Sequence, residues 1–153
     1  MKKTLLSLFS LSIVLITTNV FLTSSSGGRA NAANSGNTGA PSETTTCRNC
    51  HGAGFGTTVS ITITDTSGSV VTDYLPGDTL DVEVQVEYTS GTPSKYGFQI
   101  VSLNSINNGI NDWILPASNT RIASAGSRTY AEHKGVSSDS IFKSKWVAPS
   151  MIP

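Results

Sequence analysis

Cys47, Cys50 and His51 lie in the run TTTCRNCHGAGFG, two thiols three residues apart with an imidazole directly behind the second. Groups in that order can hold a haem, because the thiols add to the two porphyrin vinyl groups and the following imidazole reaches the iron axially. Three other outcomes use the same atoms. A Cys47–Cys50 disulfide needs only an oxidising compartment and leaves His51 incidental. A zinc site would take Cys47, Cys50 and a histidine, but structural zinc sites draw a second ligand pair from elsewhere, and only His133 remains. A thioredoxin-type redox pair requires a βαβ setting. The whole chain holds two cysteines and two histidines. Their meeting in one C-x-x-C-H is rare by composition alone and favours one covalent haem c, with the disulfide as its main rival.

A haem with His51 as proximal ligand has a second axial position. His133, in TYAEHKG, is the remaining histidine, and Met151 is the methionine left once the initiator end is removed. Met151 sits at the chain end, where fraying is expected, so His133 is the candidate distal iron ligand. The competing reading is a solvent-facing histidine between Glu132 and Lys134.

Which chemistry a thiol pair undergoes depends on the compartment. The chain opens MKKTLLSLFSLSIVLITTNVFLTSSSGGRANAANSG: Lys2 and Lys3, an apolar stretch from Leu5 to Ile16, then small residues with Ala30-Asn31-Ala32 as an A-x-A site. We read residues 1–32 as a signal peptide cut after Ala32. An uncleaved anchor is the alternative, but Thr17, Thr18 and Asn19 interrupt the apolar run short of the roughly 20 residues a span needs. The mature chain is therefore expected outside the cytoplasm, in the periplasm, at the cell surface or secreted, with no membrane span. Losing Lys2, Lys3 and Arg29 leaves seven basic against ten acidic residues, a net charge of −3. That balance argues against nucleic acid as a partner, since no basic patch is left to displace counterions from phosphates.

Residues 33–46, ANSGNTGAPSETTT, carry no large apolar side chain and read as a flexible lead-in. From Thr57 the pattern turns to period two. Val59, Ile61 and Ile63 alternate with Ser60, Thr62 and Thr64, and after a Pro-Gly turn Leu80, Val82, Val84 and Val86 alternate with Asp81, Glu83, Gln85 and Glu87. Phe98 and Ile100 resume the alternation, and SIFKSKWVAP gives a last strand with Phe142, Ser144 and Trp146 on one side. These apolar residues are the expected core. No sustained 3.6-residue period occurs beyond the leader, so residues 47–153 are expected as an all-β domain. A two-sheet antiparallel sandwich is the favoured form, although strand spacing alone also fits a barrel. The motif at residues 47–51 would lie on a loop before the first strand. No Ser-His-Asp set, phosphate-cradling Gly loop or paired carboxylates stand out, so no enzyme is expected.

GNTGAPSETTTCRNCHGAG resembles the opening of the choice-of-anchor V proteins, a family of exported bacterial surface proteins. DYLPGDTLDVEVQV, KYGFQIVSL, EHKG and KWVAP are similar to later parts of that family. The resemblance runs from residue 36 to 150 and is related to the Reeler domain, an immunoglobulin-like sandwich of extracellular proteins. It implies an immunoglobulin-like (Reeler-like) fold. The family continues past Trp-x-Ala-Pro into another strand, whereas this chain stops at Met151-Ile152-Pro153, so the expected sandwich is C-terminally truncated. Two functions follow. One is an exported monohaem c-type protein that relays electrons to a redox partner; the other is a Reeler-type adhesion module that binds a cell-surface partner, with a Cys47–Cys50 disulfide and no haem.

Overall fold

Residues 26–49, 51 and 55–151 are described by the computed structural model. The strongest alternation in the sequence forms the longest strand, β2 (Thr79–Ser90), which follows β1 (Gly56–Thr64). After them come β3 (Gln99–Val101), β4 (Trp113–Ile114), β5 (Thr120–Ala125), β6 (Arg128–His133) and β7 (Ile141–Val147). All pairings are antiparallel, in two sheets ordered β1-β2-β7-β4 and β3-β6-β5. The fold is an all-β antiparallel sandwich, as the period-two pattern predicts, and the separate sheets settle the choice against a barrel.

Register explains the core. Leu80 lies opposite Trp146, Val82 opposite Ser144 and Val84 opposite Phe142, so the alternate residues of β2 and β7 share one face. Those residues, with Val86, are buried. From the other sheet Ala131 and the adjoining Phe98 meet them, and Phe98 stacks on Phe142 with ring centroids 4.5 Å apart. Ile100 packs at the margin, partly buried.

Strand β1 departs from expectation. Val59, Ile61 and Ile63 pair with Val86, Val84 and Val82, so they do face inward. Yet Val59 is 60% and Ile61 53% exposed, and only Ile63 is partly buried against the core. The cause is strand count. β1 is the edge of a four-stranded sheet, while the opposing sheet has three strands, and among the described residues no strand lies across from β1.

The last residues of the expected leader and the stretch 33–46, expected as a flexible lead-in, are instead fastened to the outer face of the β3-β6-β5 sheet. A short helix, α1 (Arg29–Ala33), buries Ala30 against Ala125 and Tyr130. Further along, the Asn37 N–H donates to Gln99 Oε1 at 2.6 Å. The Glu43 carboxylate accepts from the N–H groups of Thr38 and Gly39, at 2.6 and 3.0 Å, and from the Tyr130 hydroxyl at 2.9 Å. Arg128 flanks it at 3.6 Å. Burial and the Glu43 carboxylate together raise the Tyr130 pKa above its ordinary value of 10.0. The leader expected over residues 1–32 lies mostly outside the described residues. Among those described, no helix is long and apolar enough to cross a membrane.

Candidate cofactor site

The motif is positioned by backbone pairing with the lead-in. Thr38 bridges Thr46 in antiparallel fashion, and Asn37 Nδ2 donates to the Thr46 carbonyl at 3.3 Å. Asn49 then closes the turn: its Oδ1 accepts from the Thr46 N–H at 2.8 Å, and its own N–H returns to the Thr46 carbonyl at 3.0 Å. Cys47–Asn49 form one turn of 3-10 helix rather than an open loop. The His51 N–H donates to the Cys47 carbonyl at 3.1 Å, a contact of helical reach. Residues four apart in such a turn fall on one side of it. Cys47 and His51 both line one groove and are solvent-exposed, and the Cys47 thiol donates to the Asn37 carbonyl at 3.5 Å. Cys50 lies outside the described residues.

The groove has a volume of about 550 Å³. It is lined by Val84 and Val86 of β2, the exposed Val59 and Ile61 of β1, and Phe98 and Ile100 at β3. Phe55, 56% exposed, also lines it. The charged groups of the lining are cationic, Arg48 and Lys95, and none of its described residues is acidic. A planar, largely apolar ligand carrying negative groups at one edge suits such a surface: hydrocarbon meets hydrocarbon, and the anionic edge meets the cations.

His133 and Met151 do not line this groove. His133 ends β6 with Nδ1 against the backbone of Phe98, 3.3 Å from its N–H and 3.0 Å from its carbonyl oxygen, and its ring lies over Gly97. Met151 is 80% exposed. The structure therefore brings Cys47 and His51 together and leaves the expected distal ligand outside the shared groove. No group of three or more His, Cys, Asp and Glu suited to a metal ion occurs among the described residues, which do not include Cys50.

Sequence reasoning missed the groove and its two cations. Arg48 stands inside the motif itself, and the alternating Val59 and Ile61 begin eight residues after His51. That pattern was legible as a facing but not as a vacancy, since the missing cover is a property of the other sheet. Comparison of the chain with family models, with curated proteins and with solved structures finds no match.

Proposed function

We propose that this chain is an exported monohaem c-type protein that serves as an electron-transfer module. The observation that carries the reading is that Cys47 and His51 open on a groove whose inward-facing apolar side chains, Val59 and Ile61, have no cover among the described residues. Leaving two β-branched side chains half in water on the inner face of a sandwich forgoes about 25 cal/mol per Å² of burial. A bound apolar group would recover it. The groove's size also falls in the roughly 300–1,000 Å³ range of small-molecule and cofactor sites.

Cys47 and Cys50 would hold the haem through thioether bonds, and His51 would supply the proximal imidazole. Bound there, the haem would exchange single electrons between Fe(III) and Fe(II) with a redox partner outside the cytoplasm. The chain's own part is to exclude water with Val59, Ile61, Val84 and Phe98, and to offset the propionate charges with Arg48 and Lys95. The hydrogen-bonded turn at Thr46–Asn49 holds the motif against the groove. The likeness to choice-of-anchor V proteins supports export, the setting in which haem attachment or a disulfide takes place.

The test is production of the full chain in a bacterium with working haem-attachment machinery, followed by a peroxidase stain on a denaturing gel. We expect a stained band that Cys47→Ser with Cys50→Ser abolishes, and His51→Ala should yield little holoprotein. A colourless wild-type protein would overturn the haem reading in favour of the surface adhesion module, in which Cys47–Cys50 is a disulfide and the same groove meets a cell-surface partner.

A further inference from the structure

The centre of the three-stranded sheet holds a fully buried carboxylate, Glu132 on β6, whose backbone donors come from the segment ahead of the motif. Its Oε2 accepts the Ala30 N–H and its Oε1 the Asn31 N–H, each at 2.9 Å. Gln99 Nε2 donates to Oε2 at 2.9 Å, and Gln99 Oε1 in turn accepts the Asn37 N–H. Gly28, at φ +84°, lies so close that an added Cβ would fall 2.2 Å from the Glu132 carboxyl carbon, so glycine is required there on both counts. Ala30, 3% exposed, fills the niche between Ala125 and Tyr130. Residues 28–37 are thus a strap that completes the outer face of the sheet and supplies two of the donors on a buried carboxylate.

That role conflicts with cleavage at Ala30-Asn31-Ala32. A cut after Ala32 would remove both backbone donors and the Ala30 side chain, leaving a buried acceptor short of partners, among the costlier defects a fold can carry. The sequence offers another place. Residues 23–26, Thr-Ser-Ser-Ser, follow the last apolar residues, Phe21 and Leu22, and provide the small side chains that leader cleavage selects.

We propose that the leader is removed by a cut within residues 23–26, so that Gly28, Ala30 and Asn31 remain in the mature protein as the permanent partners of Glu132. The inference rests on the export reading but not on the haem.

The experiment is N-terminal sequencing and intact-mass measurement of the protein recovered from outside the cytoplasm of a bacterium expressing the full chain. A mature chain that begins at residue 24, 25 or 26 is the expected result. A chain that begins at Ala33 would overturn the inference while upholding a cleaved leader, and one that retains Met1 would overturn leader cleavage and the inference with it. A second comparison places Gly27 or Ala33 directly behind one foreign leader with a defined cut. The shorter chain should unfold at a lower temperature, and Glu132→Ala in both should narrow the gap. Equal midpoints without that substitution would show that the strap contributes nothing and would equally overturn the proposal.

Discussion

Arg48 and Lys95 flank the groove without a counter-charge among its described lining, so they bear on any redox centre held there. A nearby cation disfavours the more positive Fe(III) form, and replacing either residue by Gln should lower the reduction potential, with a smaller change at high salt as screening grows. Potentiometric titration of the variants checks this, and unchanged potentials would remove both cations from the site. Tyr130 carries a different dependence. Its pKa is raised by burial first and by the Glu43 carboxylate second, so the fold binds the phenolic proton more tightly than the unfolded chain does. The contribution is complete below the unfolded value of about 10 and is lost as pH rises through the higher folded value. Urea midpoints should lose this contribution only above about pH 10. Tyr130→Phe should flatten that fall at a cost of about 1 kcal/mol near neutrality, and an unaltered alkaline limb would contradict the assignment.

Among the strands, β1 is where the haem reading and a purely structural one diverge. Val59 and Ile61 are already more than half exposed, so Val59→Asp or Ile61→Asp should change the stability of the haem-free chain by only about 0.5 kcal/mol or less. The same changes should markedly reduce holoprotein yield, read as haem stain per unit of protein. Central positions behave oppositely: Val84→Ala or Phe142→Ala should cost roughly 2–5 kcal/mol in denaturant unfolding, because both side chains are buried between the sheets. β2 and β7 were legible from sequence because a central strand's alternation reports its own burial. β1 shows the same alternation, and its facing was read correctly. Its burial was not, since that depends on how many strands the opposing sheet has, a count no local window contains. The placement of His133 is also set beyond any local window, its ring held against the Phe98 backbone where β3 pairs with β6.

Taken whole, the molecule has three layers rather than two, because the lead-in covers the outer face of the β3-β6-β5 sheet. Its Gly, Ser, Thr and Asn composition reads as disorder, since it holds too little apolar surface to fold alone. What orders it are distant polar partners, Gln99 and Tyr130, neither of which announces itself by spacing. The same layer carries the motif, so the position of Cys47 and His51 is set by the sheet and transmitted through Asn37 and Thr46. The candidate site is legible only at the level of residue type, as C-x-x-C-H, while the groove that Cys47 and His51 line belongs to the assembled sandwich. The central claim, one covalent haem on Cys47 and Cys50, is tested most directly by the intact mass of the denatured protein purified from cells able to attach haem. The account predicts the mature chain plus a single haem; a mass two hydrogens below that of the reduced chain, the signature of a Cys47–Cys50 disulfide, would contradict it.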